Sequence, residues 1–214
     1  MDNAGSEVED MGFHKGQNPN HPKKGASIKV DPIRDPQDIQ RIKNLLIDQN
    51  NMRDFCLFTL GVNTAWRANE LVKLKVGDVD GLREGDFLEL KQSKNKKYRA
   101  TPLNRSAIRA IEFWLAVCTP ANAGLPLFPS RQGQGALTVP TVCNMVKHWC
   151  SRTGASGRFG SHSLRKTWGY QQRVVFQSPL PLLVEAYGHS SERQTLDYLG
   201  IQASEITALY RNEI

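Results

Sequence analysis

The chain of 214 residues lacks the patterns that identify several large classes of protein. No apolar run approaches the roughly 18 residues that a membrane-spanning helix needs, and the N-terminus has neither the basic start nor the apolar core of a secretory signal. Its four cysteines are not paired as Cys-x-x-Cys, which argues against a zinc site and against a disulfide framework. We therefore expect a cytoplasmic protein with no membrane contact.

Acidic residues are missing from one long stretch of the chain. From Lys91 to Arg109 there are seven cations and no Asp or Glu, within a chain whose net charge is +7. A concentration of positive charge of this kind favours a polyanionic partner such as a nucleic acid. Basic proteins without such a partner are also common, so the charge alone does not assign a function.

The chain is long enough for one substantial domain preceded by a tail. Residues 1–33 mix Gly, Pro, Asn and balanced charge without apolar periodicity, so they cannot bury enough surface to offset their ordering entropy. We expect a flexible N-terminal tail over 1–33 and a folded domain over 34–214.

The folded part reads as mostly α-helical with a small β-hairpin. Residues 86–90 and 98–103 alternate as strands do, with a turn at 93–96 between them, and 77–81 is rich in turn residues. Apolar spacing or capping signals predict helices starting near Pro36, with Asp35 as cap, and near Ser106, with Ser106 as cap. The other predicted helices cover 53–62, 68–74, 140–151 with a cap at Thr138 or Val139, the His162 stretch, 181–187, 191–198 and 203–211. This pattern predicts an α+β fold.

His162 and Arg165 form the first motif that suggests chemistry. Residues three apart share one face of a helix, so both side chains can reach a single ligand. A guanidinium matches the geometry of a phosphate, and an imidazole can donate a hydrogen bond or move a proton. The pair alone is more often a solvated helix face than a catalytic one, and it gains weight only from other motifs.

Further motifs in a fixed order supply that weight. Arg67 is followed three residues later by Glu70, and Gly188-His189 is followed nine residues later by Tyr198. With Lys94 in the hairpin, the set resembles the tyrosine recombinase (phage integrase) family. That family carries an Arg in a Thr-Gly-Leu-Arg-x-x-Glu-like box, a hairpin Lys, His-x-Leu-Arg, Leu-Gly-His, and a Tyr nine residues after the second His.

The resemblance covers the chain from Asp35 to its C-terminus and implies an integrase-like catalytic domain with a small antiparallel sheet, over 34–214. The chain departs from the family at Ala65-Trp66, usually Gly-Leu, and at Tyr187, usually Leu. Members usually carry a helical DNA-clamping domain ahead of the catalytic one. The chain resembles the short, single-domain members without it, and a catalytic-domain fragment is the alternative.

The resemblance implies a covalent mechanism at a DNA phosphate. Tyr198 matches the nucleophile, which stores the energy of the phosphodiester bond as a phosphotyrosine. Arg67 and Arg165 match the two arginines that clamp the non-bridging oxygens. The alternative interpretation of Tyr198 is that it is one more half-buried aromatic residue. Tyr210 is a rival nucleophile only if the spacing from His189 is ignored.

The remaining site residues follow from the same resemblance. Lys94 matches the general acid for the departing 5′-oxygen, while His162 and His189 match positions that transfer protons or donate to the phosphate. Glu70, on the helical face of Arg67, would hold that Arg or the hairpin in place. No metal and no cofactor are expected, because side chains already supply the cations that phosphoryl transfer needs.

The other cations of the hairpin are candidate DNA-binding residues. They surround Lys94 and are Lys91, Lys96, Lys97 and Arg99. A run of charge is usually a solvated face that touches phosphates at most, so these residues are expected to track the DNA backbone.

The predicted function is site-specific recombination of double-stranded DNA through a 3′-phosphotyrosine intermediate, in integration, excision or inversion. The resemblance implies a tetramer on two synapsed DNA sites and leaves a free monomer open. A type IB-like topoisomerase or resolvase shares the nicking chemistry, and a non-catalytic DNA-binding accessory protein shares the scaffold. The intact set of catalytic residues argues against the accessory protein.

Overall fold

The computed structural model describes residues 29–91, 98–118, 122–132, 135–200, 207 and 210–213. Over these residues the chain is mostly helical with one two-stranded antiparallel sheet, which confirms the predicted α+β class. The α-helices are α1 (Pro36–Asp48), α2 (Met52–Asn63), α3 (Ala68–Leu71), α4 (Val76–Val79), α5 (Arg105–Val117), α6 (Val139–Thr153), α7 (Ser161–Tyr170), α8 (Leu180–Tyr187) and α9 (Glu192–Leu199), and a π-helix, Gln171–Val175, follows α7. The strands are β1 (Phe87–Lys91) and β2 (Tyr98–Pro102).

Helix α2 forms the centre of the core. Every residue from Arg53 to Val62 is buried, including the paired charges of Arg53 and Asp54. Helices α1, α5 and α7 all pack against α2. Gly61 allows α7 to come close, because a Cβ there would lie 2.7 Å from the Leu164 side chain. The core therefore sets the position of α7 by packing, and α7 carries the His162 and Arg165 pair.

Two helix starts show how local chemistry sets the boundaries. The Asp35 side chain accepts a hydrogen bond from the Gln37 N–H at 2.8 Å, as predicted for the cap of α1. Helix α5 starts one residue earlier than predicted, because the Asn104 side chain caps it by accepting from the Ala107 N–H at 2.9 Å. The prediction of Ser106 as the cap was wrong.

The segment after α3 also differs from the prediction. The predicted helix over 68–74 ends at Leu71, and the one-turn helix α4 overlaps the predicted turn at 77–81. Asp78 stabilises α4 by accepting a hydrogen bond from the Lys75 N–H at 2.8 Å. The turn residues therefore form a capped helical turn before the chain enters β1.

The hairpin pairs β1 with β2 in antiparallel register, with Leu88 opposite Thr101. It is attached to the core through Trp66, whose indole N–H donates to the Thr101 hydroxyl at 2.9 Å. Residues 92–97, which contain the predicted turn and Lys94, lie outside the described residues.

The ordered domain begins before the predicted boundary at residue 34. Ile33 is buried, its N–H donates to the Thr167 hydroxyl at 2.8 Å, and its carbonyl accepts from the Gln171 side chain. The Asp31 N–H donates to the Arg158 carbonyl. Residues 31–33 thus pack beside α7, because Ile33 supplies apolar surface and Arg158, Thr167 and Gln171 supply polar partners. Residues 1–28 lie outside the described part of the chain.

Candidate active site

Helix α7 places His162 and Arg165 one turn apart. Its start is fixed by the Ser163 hydroxyl, which accepts a hydrogen bond from the Gly160 N–H at 3.1 Å. Arg165 points inward and is 2% exposed, whereas His162 at the first turn is exposed. Partial desolvation and the charges of Arg165, Arg67 and Lys166 lower the pKa of His162. The imidazole is therefore neutral near pH 7.

Arg165 is held by the backbone of two distant segments. Its guanidinium donates to the Ala65 carbonyl and, at 2.8 Å, to the Tyr187 carbonyl. Burial lowers the pKa of Arg165, with Tyr198 opposing this and Arg67 adding to it, but a guanidinium stays charged at neutral pH. Arg165 is therefore a buried cation in a fixed position. One of its two backbone partners, Ala65, lies two residues before Arg67.

Arg67 sits at the start of α3 and is held by Glu70. The Glu70 carboxylate accepts from the Arg67 N–H at 2.7 Å and from its guanidinium at 3.3 Å. Glu70 is buried, while the Arg67 side chain keeps 33% of its surface exposed. The carboxylate thus fixes the arginine and leaves part of the guanidinium available to a ligand.

His189 follows a left-handed glycine that ends α8. Gly188 has φ 63°, a conformation that favours glycine, and the His189 N–H donates back to the Val184 carbonyl at 3.0 Å. The His189 Nδ1 lies 2.9 Å from the Thr195 hydroxyl on α9. Desolvation, Arg165 and Arg67 lower the pKa of His189 to about 4, so it is neutral near pH 7 with Nε2 left for a ligand.

Tyr198 lies on α9, which starts at the Ser191 cap. Its ring centroid is 5.3 Å from that of His189 and 6.0 Å from the Arg165 guanidinium carbon, and the Lys166 ammonium lies 5.1 Å from the same ring. Burial raises the pKa of Tyr198, against the charges of Arg165 and Arg67. Arg165 is close enough for its charge to influence the Tyr198 phenol. The Tyr198 hydroxyl nevertheless makes no hydrogen bond of normal geometry with any described residue.

The fold therefore gathers five of the six predicted catalytic residues around one point. They come from four separate segments of the chain and are Arg67, His162, Arg165, His189 and Tyr198. Lys94, Lys96 and Lys97 lie outside the described residues, and Lys91 and Arg99 are described only as backbone positions in β1 and β2. The cations of Arg67 and Arg165 suit a phosphodiester anion, whose negative charge increases in its pentacovalent transition state.

Four residues of this site have no role in the sequence-based prediction. Lys166 contacts the Tyr198 ring, Thr195 fixes the His189 ring, and Tyr187 contacts both rings with Gly169 making room for it. Lys166 follows Arg165 directly and Thr195 lies between His189 and Tyr198, so both are close in sequence to predicted site residues. The contacts of Tyr187 depend on packing between α7, α8 and α9, which sequence spacing does not reveal.

The described residues contain neither a candidate metal site nor a candidate membrane span. No group of three or more His, Cys, Asp or Glu side chains there is placed to hold a metal ion. No helix there combines the length and apolarity needed to cross a membrane.

Comparison with known families and relatives points in one direction. The family model for the phage integrase family matches residues 34–205. The "Probable integrase/recombinase YoeC" of Bacillus subtilis (strain 168) is 29% identical over 184 residues, covering 85% of this chain and 96% of the relative. "Tyrosine recombinase XerC" of Proteus mirabilis is 24% identical, and the match covers 88% of this chain but 60% of that protein.

Solved structures share the fold. The XerA recombinase superposes with a TM-score of 0.67 at 20% identity, covering 84% of this chain and 65% of that one. The XerH site-specific recombinase bound to a palindromic difH substrate superposes with a TM-score of 0.66 at 22% identity, covering 86% and 53%. The chain thus spans little more than half of the XerH chain.

Proposed function

Because this chain belongs to the phage integrase family, as its motifs predicted, we propose that it is a tyrosine-type site-specific recombinase that breaks and rejoins double-stranded DNA. The relatives named above are recombinases and integrases, which favours this function over a topoisomerase, a resolvase or an accessory protein. The observation that carries the proposal is the packing of Tyr198 beside Arg165 and His189.

The proposed reaction is an in-line displacement at one phosphate. The Tyr198 oxygen forms a bond to phosphorus while the bond from phosphorus to the 5′-oxygen breaks, which leaves a 3′-phosphotyrosine and a free 5′-hydroxyl. Arg67 and Arg165 contact the non-bridging oxygens and stabilise the charge that builds up on them. A second strand's 5′-hydroxyl then attacks the phosphotyrosine, and the phenol leaves.

Two protons move in the cleavage step. Since burial raises the pKa of Tyr198, the phenol is protonated near pH 7 and must lose its proton as it attacks. His162 and His189 are neutral there, so an imidazole of this pair accepts the proton or donates to the phosphate. Lys94, which matches the general acid of the family, gives a proton to the departing 5′-oxygen.

The remaining parts of the proposal concern partners and place. Lys91, Lys96, Lys97 and Arg99 contact the phosphates of the duplex around the hairpin. Recombination requires two DNA sites. The proposed arrangement is a tetramer assembled on synapsed DNA, and the free chain is a monomer. The catalytic domain covers 34–214 together with residues 31–33, which pack against it, and the protein acts in the cytoplasm without a cofactor.

The test uses DNA that flanks the gene of this protein. A supercoiled plasmid with two copies of this segment is incubated with the chain, and inverted or excised products are detected by amplification across the new junctions. Recombinants together with a covalent protein–DNA adduct on a nicked suicide substrate support the proposal. Relaxation of the plasmid without new junctions would indicate a topoisomerase, and binding without an adduct would indicate an accessory protein.

A further inference from the structure

Tyr187, the last residue of α8, contacts a histidine, an arginine and the nucleophilic tyrosine of the proposed active site. Its ring stacks on His189 with centroids 4.9 Å apart and planes 15° apart, and it meets the Tyr198 ring edge-on at 5.3 Å. The Arg165 guanidinium carbon lies 4.7 Å from the same ring. Tyr187 itself is 1% exposed, so these contacts are all in the interior.

Tyr187 is also tied to Arg165 at both ends of the residue. The Tyr187 hydroxyl donates to the Arg165 carbonyl at 2.9 Å, and the Tyr187 carbonyl accepts from the Arg165 guanidinium at 2.8 Å. The two bonds connect the backbone of α7 to the end of α8. A side chain without the hydroxyl could fill part of the space but could not make the first bond.

Gly169 makes this position of the tyrosine available. A Cβ atom at residue 169 would lie 1.9 Å from the Tyr187 hydroxyl oxygen and 2.6 Å from the adjoining ring carbon. The clash is with the rigid end of a buried ring, which has no room to move aside. Any larger residue at 169 therefore excludes the observed position of Tyr187.

From these contacts we propose that Tyr187, seated against Gly169, is a positioning residue that holds Arg165, His189 and Tyr198 in their relative geometry before DNA binds. The inference rests on the proposed function, since it assigns the pair a part in the same reaction. Edge-on and stacked aromatic contacts are directional, so a ring in this place restricts the orientation of both neighbouring rings. A misplacement of about 1 Å among reacting groups can slow a reaction roughly a hundredfold.

The experiment compares four variants with the parent chain: Tyr187→Phe, Tyr187→Leu, Gly169→Ala and the double variant Gly169→Ala/Tyr187→Leu. Single-turnover cleavage of a suicide substrate is measured at saturating protein, next to the Kd for the same duplex. We expect Tyr187→Phe to cleave about tenfold more slowly with an unchanged Kd. Gly169→Ala should lose more, and the double variant should recover part of that loss because Leu vacates the space that the new methyl group needs.

A second readout needs no activity. Tyr187→Leu removes the ring stacked on His189, so the His189 imidazole should titrate in NMR spectra closer to its ordinary pKa than in the parent chain. Gly135→Ala is the matched control, because a Cβ there meets nothing within 4 Å. If Gly169→Ala does not fold, Tyr187→Phe still decides the question.

The outcomes separate the two proposals. A parent chain that forms no adduct contradicts the proposed function, and the NMR comparison then still tests the packing. A parent chain that cleaves, with Tyr187→Phe cleaving equally fast and His189 titrating identically in Tyr187→Leu, overturns the positioning role. A Tyr187→Phe variant that is slower only because its melting temperature falls below the assay temperature overturns it as well.

Discussion

Glu70 holds Arg67 by two hydrogen bonds, one from the backbone N–H at 2.7 Å and one from the guanidinium at 3.3 Å. The same carboxylate therefore starts helix α3 and orients the proposed phosphate clamp. Because Glu70 is 4% exposed, its two hydrogen bonds to Arg67 are made by a buried carboxylate.

Replacing Glu70 should therefore impair chemistry more than folding. Glu70→Gln keeps the shape but offers one carbonyl oxygen where two carboxylate oxygens are needed. We expect single-turnover cleavage to fall about ten- to a hundredfold, equivalent to roughly 1.4 to 2.7 kcal/mol. Glu84→Gln is the control, since Glu84 is an exposed carboxylate paired with Arg105 at the surface. Equal rates for the two variants would show that Arg67 does not depend on Glu70.

Tyr198→Phe should abolish the covalent adduct while leaving the fold intact. The Tyr198 hydroxyl is buried and has no hydrogen-bond partner among the described residues, so its removal should change the free energy of unfolding by only about 0 to 1 kcal/mol. Tyr210→Phe, at a side chain 86% exposed, should retain full adduct formation. Adducts are measured on denaturing gels with a nicked suicide substrate. An adduct formed by Tyr198→Phe but not by Tyr210→Phe would reverse the assignment.

His189 should make the protein less stable in acid. Its pKa is lowered to about 4 in the folded protein and is about 6.5 when unfolded, so the unfolded chain binds the extra proton first as pH falls. The contribution of His189 is thus present above pH 6.5 and is lost progressively between about 6.5 and 4. The midpoint is measured by NMR titration of the imidazole in folded and urea-unfolded protein. A folded-state midpoint at or above the unfolded one would contradict this.

Much of the site was predictable because motif spacing survives folding in simple ways. His162 and Arg165 share a helix face by their spacing alone, and the nine-residue separation of His189 and Tyr198 spans the start and most of α9. Glu70 was predictable for the same reason, since it lies three residues from Arg67 at the start of α3. The family resemblance then predicted that these separate motifs belong to one site.

The differences have physical causes that single-sequence reasoning does not contain. Asn104 and Ser106 are both good capping residues, and Asn104, which caps the helix, also donates to the Asn63 side chain on α2 at 2.8 Å. Ile33 looked like part of a polar tail, but it finds a buried place beside Thr167, 134 residues away. The fit of Tyr187 against Gly169 likewise depends on the meeting of α7 and α8. Each outcome was set by a tertiary neighbour.

The hydrogen bond from Trp66 to Thr101 joins the residue before Arg67 to strand β2 of the hairpin. Trp66 is 1% exposed, so Thr101→Val, which is similar in shape, leaves a buried indole N–H without its acceptor. We expect the free energy of unfolding to fall by about 1 to 3 kcal/mol. Thr101→Ser, which keeps the hydroxyl, is the control and should stay close to the parent chain.

The same variant tests whether the hairpin delivers a proton. If Lys94 protonates the departing 5′-oxygen, a loosened hairpin should slow cleavage of ordinary DNA in Thr101→Val. A substrate with sulfur in place of that 5′-oxygen should be cleaved at nearly the parent rate, because a thiol with a pKa of about 8.5 leaves as its anion without help. The measurement is single-turnover cleavage of the ordinary and the sulfur-containing substrate by the parent chain and by Thr101→Val. An equal loss on the two substrates would mean that the Trp66–Thr101 contact acts on the Arg67 clamp instead of on proton donation.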